Sequence, residues 1–217
     1  MYYIDMPLII FDLDGTIVDS IGDITLSLNH ALKPIGFKKF SAEEVRKLVG
    51  GGVTRLIENI LGDEKKSFKE EALSRFLDYY WDNIAVRTTV FPGVFETLER
   101  LSNCRKVILS NKREAFSKKV LNKFKLADYF ELIYGSDSVP GKKPAPDGIR
   151  QIISKMSFKD SDALIVGDSE MDIMAGKSAG IKTVGVTYGY RGKEALSDAD
   201  FIIDNIGELP RLIESFP

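Results

Sequence analysis

Leu8-Ile9-Ile10-Phe11 is an unbroken apolar run that ends in Asp12-Leu13-Asp14-Gly15-Thr16, and no other segment limits the fold so strongly. A strand with one wet face alternates apolar and polar residues. A run without that alternation belongs in the interior of a parallel sheet, covered on both faces. With this strand predicted over 8–13, further β-rich runs stand at 106–110, 131–135, Ala163–Gly167, 183–186 and Phe201–Ile203, several of them equally continuous. From Pro92 onward, segments of helical spacing separate them. Val94, Leu98 and Leu101 share one face, and Val120, Leu121 and Phe124 another. Ile149, Ile152, Ile153 and Met156 make a third face, after a helix start at Pro146 and Asp147. Strand–helix alternation predicts an α/β fold, a doubly wound and mostly parallel Rossmann-like sheet.

The rhythm breaks after the first strand. Between Asp19 and about Arg87 only amphipathic helix is predicted. Ile21, Ile24, Leu28 and Leu32 share a face, and Ser41 with Glu44 forms a capping-box pattern ahead of Val45, Leu48 and Val49. Val53, Leu56, Ile57, Ile60 and Leu61 follow the amphipathic template, and a fourth helix is predicted from Phe68 through Ile84. At 217 residues the length suits one large domain or a domain with an insertion. The expected organisation is an α/β core of residues 1–17 and 88–217 and an inserted all-helical domain of residues 18–87, with linkers near 16–19 and 87–91.

Composition removes whole classes of chemistry. A single histidine, His30, and a single cysteine, Cys104, cannot build a thiolate or multi-histidine zinc site, nor close a disulfide within the chain. A metal is therefore expected to be bound by oxygen, and a nucleophile to be a carboxylate or hydroxyl. With 30 Lys plus Arg against 32 Asp plus Glu, no basic surface argues for nucleic acid. The apolar run at Leu8–Phe11 is too short for a membrane span or a signal peptide, so a cytoplasmic location is expected.

The chemistry is expected where the strands end, because the carboxyl edge of an open parallel sheet forms the ligand crevice. Strand one delivers Asp12 and Asp14, two residues apart and so on one face. The next delivers Ser110 and Asn111, and a later one Gly167-Asp168-Ser169. Any one of these reads equally well as a helix cap or turn residue; three converging on one edge do not. With Asp172 one helical turn on, four carboxylates crowd a small volume and call for a cation such as Mg²⁺. Lys143, in Gly-Lys-Lys-Pro-Ala-Pro, adds positive charge. Thr16, Ser110, Asn111 and backbone N–H groups are candidate phosphate donors. The constellation is one for phosphoryl transfer.

Asp12-Leu13-Asp14-Gly15-Thr16, Ser110-Asn111, Lys143-Pro144 and Gly167 through Asp172 resemble, in order, the four motifs of the haloacid dehalogenase-like hydrolases. The inserted helices are similar to that family's cap domain. The resemblance is nearest to the phosphoglycolate phosphatase branch, through 12–20, 50–53, 167–180 and 186–190. It implies that Asp12 attacks phosphorus and that Asp14 protonates the leaving oxygen and then activates water. It implies Mg²⁺ held by Asp12, the Asp14 backbone carbonyl and Asp168, and phosphoryl oxygens bound by Ser110 and Lys143. It further implies that Asp172 supports the metal site or orients Lys143. In the cap, Gly50-Gly51-Gly52 reads either as a flexible connection or as a substrate loop, with Gly51 and Gly52 approaching an anion and Arg55 meeting a substrate carboxylate. The expected substrate is a small phosphorylated metabolite, 2-phosphoglycolate first, for a monomer or homodimer acting without nucleic acid or membrane. Alternatives are a sugar phosphomutase, a pyrophosphatase or nucleotidase of the same fold, and a phospho-accepting signalling module.

Overall fold

A computed structural model of the protein describes residues 7–214. β1 (Leu8–Phe11) is buried along its whole length because it has a strand on each side and helices above and below. β4 (Arg105–Leu109) and β6 (Ala163–Gly167) flank it in parallel, with Leu8 in register with Arg105 on one side and Ala163 on the other. β5 (Leu132–Tyr134), β7 (Lys182–Val186) and β8 (Phe201–Ile203) complete a parallel sheet of order β5-β4-β1-β6-β7-β8. One face carries Ile9, Phe11, Ile108 and Val166 against α5 (Val94–Arg100), α6 (Glu114–Lys123) and α9 (Leu209–Glu214). The other carries Leu8, Ile10, Val107 and Ile165 against α7 (Asp147–Met156) and α8 (Glu170–Ala179). This is the doubly wound sheet that the continuous apolar runs predict.

The helical insertion hangs from a ribbon absent from the sequence reading. β2 (Val18–Asp19) pairs antiparallel with β3 (Thr89–Val90); two-residue strands carry no periodicity to detect. Between them lie α1 (Ile21–Leu32), α2 (Ala42–Arg46), α3 (Val53–Leu61) and α4 (Lys69–Asp82). The Ser41–Glu44 capping box forms as expected. The fourth helix is shorter than its apolar pattern: Phe68 is its exposed N-cap, and the backbone turns left-handed at Ala85 after the Asn83 side chain bonds the Tyr79 carbonyl. Leu28, Leu56, Ile57, Phe76 and Tyr80 join the same apolar cluster as Ile9 and Phe11, so cap and core share one interior. Cys104 is buried, and His30 stacks on Tyr79.

Asp23 fixes the two crossings to each other. Lying in the first turn of α1 and buried, it accepts hydrogen bonds from the N–H groups of Val86, Arg87 and Thr88 at 3.2, 2.8 and 3.0 Å and from the Thr88 hydroxyl at 2.5 Å. One carboxylate thus ties the chain entering the cap to the chain leaving it.

Candidate active site

Asp12 follows β1 directly, and its N–H extends the ladder to the Val166 carbonyl at 2.9 Å. The strand order brings it beside Ser110, after β4, and Asp168, after β6. Lys143 arrives from the loop ahead of α7, its Nζ 2.8 Å from Asp12 Oδ1 and 2.5 Å from Asp172 Oδ1. Asp172 is wholly buried, and its other oxygen accepts from Ser169 N and Oγ at 3.1 and 2.6 Å. The capping box of α8 therefore also orients the lysine. Asp168 accepts from Tyr190 N at 2.6 Å. Gly15 has φ +90°, and a Cβ there would collide with the Asp168 carboxylate. Only glycine lets the turn after Asp14 pass so close.

The charges are out of balance. Asp12, Asp168 and Asp172 each place an oxygen within 4.8 Å of the others, facing a single ammonium. Burial pushes the Asp12 carboxyl up to about 6, Lys143 pulling it down and Asp172 and Asp14 adding to the rise. Burial, then Asp12 and Asp172, push Asp168 well above the usual carboxylate range. Burial would lower Lys143, yet Asp12 and Asp172 outweigh it and hold the ammonium above its ordinary value. Buried carboxylates that repel one another, with only oxygen donors around them, fit a hard divalent cation such as Mg²⁺.

The Asp14 side chain stands apart from that group. It accepts from Lys112 Nζ at 2.8 and 2.6 Å and from Ser20 Oγ at 2.5 Å. Lys112 also donates to the Tyr80 hydroxyl at 2.9 Å, from α4 of the cap. Any share of Asp14 in an ion site thus rests on its backbone carbonyl. Lys112 escaped the sequence reading, although its place directly after Ser110-Asn111 is the signal that would have found it.

A cavity of about 90 Å³ lies between cap and core. Asp12, Asp14, Ser110, Lys112 and Asp168 form its polar floor; Val49, Val53, Leu56, Phe76 and Leu77 form an apolar roof. Gly52 lines it at φ +83°, where a Cβ would stand 2.8 Å from the Asn111 carbonyl. Gly51 is instead covered by the stem of Arg55, whose Cδ would meet a Cβ there at 2.6 Å. Arg55 is exposed and is not brought to the cavity. Thr16 is likewise off the lining, fully buried, and its hydroxyl has no hydrogen-bond partner among the described residues. Asn111 lines the cavity, but its amide donates to the Gly50 carbonyl at 2.8 Å and the Lys143 carbonyl at 2.9 Å. That side chain latches the glycine loop rather than offering free donors. A second latch is Arg191, donating to the carbonyls of Lys47 and Val49 at 2.7 and 2.8 Å.

The chain is similar to known proteins over nearly its whole length. A family model described as haloacid dehalogenase-like hydrolase matches residues 9–186. The chain is 38% identical over 212 residues to a phosphoglycolate phosphatase of Aquifex aeolicus, covering 97% of this chain and 98% of that protein. It is 34% identical over 220 residues to a phosphoglycolate phosphatase of Vibrio parahaemolyticus, with 96% of each covered. A crystal structure of a predicted phosphoglycolate phosphatase from Haemophilus somnus superimposes with a TM-score of 0.90 at 29% identity, over 97% of this chain and 99% of that one.

Proposed function

The chain belongs to the haloacid dehalogenase-like hydrolase family, and from that premise we propose that it hydrolyses 2-phosphoglycolate through an aspartyl-phosphate on Asp12. The observation that carries this reading is the division of labour between the two aspartates. Asp12 is buried against Lys143, beside Asp168 and Asp172, whereas Asp14 is held separately at the cavity by Lys112 and Ser20.

Asp14, held by Lys112 and Ser20, takes up a proton brought in by the phosphomonoester monoanion. An Asp12 oxygen attacks phosphorus and the ester P–O bond breaks, Asp14 giving that proton to the departing oxygen. Asp14, now a carboxylate, takes a proton from water as that water attacks the phosphorus, and the bond to Asp12 breaks to release phosphate. Lys143, hydrogen-bonded to Asp172 and ion-paired with Asp12, turns a remaining N–H to a phosphoryl oxygen beside the Ser110 hydroxyl. Asp12, Asp168 and the Asp14 carbonyl, with Asp172 in support, would hold Mg²⁺, which would supply charge neutralisation for the attack on phosphate. The apolar roof over the cavity excludes bulk water from the acyl phosphate.

A substrate carboxylate needs a cation not already neutralised. Lys112, Lys143 and Arg191 all face carboxylates. Arg113 lines the cavity and has no ion-pair partner among the described residues, which favours it over Arg55 for this task. Near-zero net charge gives no basic surface for nucleic acid, and no described helix is long and apolar enough to cross a membrane; the reading we propose is a cytoplasmic monomer or homodimer. The test is a kcat/KM panel with Mg²⁺ over 2-phosphoglycolate, glucose 1-phosphate, nucleoside monophosphates and pyrophosphate. 2-Phosphoglycolate is expected to rank first, and Arg113→Ala to lower its kcat/KM roughly tenfold or more while sparing uncarboxylated esters. Conversion of glucose 1-phosphate to the 6-phosphate would instead identify a mutase.

A further inference from the structure

Lys112 is the most enclosed cation at the cavity that the two-aspartate scheme leaves without a task. Its side chain is 7% exposed, and its ammonium meets both oxygens of Asp14 and the Tyr80 hydroxyl. Those three bonds account for all of its donors. Two of the partners are core atoms and the third belongs to the cap helix α4. Tyr80 is itself set by its neighbours, stacked on Phe116 of the core at 5.5 Å and tilted against Phe76 of its own helix at 5.6 Å. Its hydroxyl therefore reaches Lys112 only when α4 lies against α6.

We propose that Lys112 is a positioning residue through which cap closure aligns Asp14: the closed cap brings Tyr80 to Lys112, and Lys112 so held fixes both oxygens of Asp14. Moving α4 away leaves one ammonium N–H to water and opens the ion pair to solvent, where a lysine–carboxylate contact no longer imposes one geometry. Asp14, which takes up its proton as substrate enters, is then in place as acid and later as base only when the cavity is closed over substrate. This rests on Asp14 serving as the acid, as proposed above.

Leaving-group chemistry tests it. An alkyl phosphate such as 2-phosphoglycolate needs a proton on the departing oxygen, whereas p-nitrophenyl phosphate releases a phenolate stable without one. The ratio of kcat/KM for the two substrates, measured with Mg²⁺, reports the alignment of the acid and not merely the integrity of the fold. Tyr80→Phe keeps the ring packing and is expected to lower that ratio about tenfold, roughly the worth of one hydrogen bond to a charged group. Lys112→Met is expected to lower it about a hundredfold, with KM little changed. Asp14→Asn is the reference. If Asp14→Asn leaves the ratio unchanged, the acid assignment fails and the proposal with it. If Asp14→Asn lowers the ratio but Tyr80→Phe and a folded Lys112→Met lose both substrates equally, or neither, the acid stands and the proposal is overturned. Should Lys112→Met fail to fold, Tyr80→Phe decides alone.

Discussion

Asp12 concentrates the conflict between stability and chemistry in one side chain. A carboxylate attacking phosphorus must be ionised, yet burial among Asp172 and Asp14 pushes its pKa to about 6, with Lys143 alone opposing. Its folded value lies above its unfolded value, so its ionisation at neutral pH opposes folding. Asp12→Asn is therefore expected to abolish turnover, by about 10⁴-fold or more in kcat, without lowering the Tm of the metal-free protein. Steady-state kinetics and thermal unfolding on the same preparation check both halves. Residual activity near wild type would remove Asp12 as the nucleophile, and a large fall in Tm would make its role structural.

At the scale of elements, hydrophobic periodicity made the strands and helices legible, because burial of a whole face leaves a repeating pattern. The Asp-Leu-Asp-Gly-Thr turn was legible for a different reason: short polar residues at the end of a two-face-buried strand have few other uses. What stayed hidden depends on distant chain segments meeting. Lys112, Arg113 and Arg191 look like surface charges until the cap folds over them. Arg55, adjacent to the glycine loop in sequence, faces away because helix α3 turns it outward over Gly51. Asp23 is a further case, an acidic residue on an apolar helix face whose partners lie more than sixty residues on. Asp23→Ala strands three backbone N–H groups at the cap crossing, which is expected to cost about 3 kcal/mol and lower Tm by roughly 6–12 °C for a chain of this size. Thermal unfolding measures this directly; a change under about 2 °C would mean that the β2–β3 ribbon holds the crossing without it.

Over the whole molecule, cap and core share a continuous apolar interior around a floor of mutually repelling carboxylates, so the native state carries a local penalty inside an otherwise well-packed fold. A cation bound by that floor stabilises only the folded protein, since the unfolded chain does not gather the three carboxylates. Mg²⁺ at about a hundred times its dissociation constant is expected to add about 2.7 kcal/mol, a rise in Tm of roughly 5–11 °C. The pH dependence in chelator runs the other way from that of a salt-bridged carboxylate. Asp12 and Asp168 are raised in the folded state, so between the ordinary carboxylate range and their folded values the native protein binds more protons than the unfolded chain. Their contribution to stability therefore falls as pH rises through that window, and Mg²⁺, if it competes with those protons as proposed, is expected to flatten the slope. Asp168→Asn removes one of the repelling charges and, with it, one of the oxygens proposed to hold the ion. It is expected to raise the Tm of the chelated protein and to abolish the Mg²⁺-induced rise, in unfolding scans with and without EDTA. A variant that still gains the full increment on adding Mg²⁺ would show that the ion sits elsewhere.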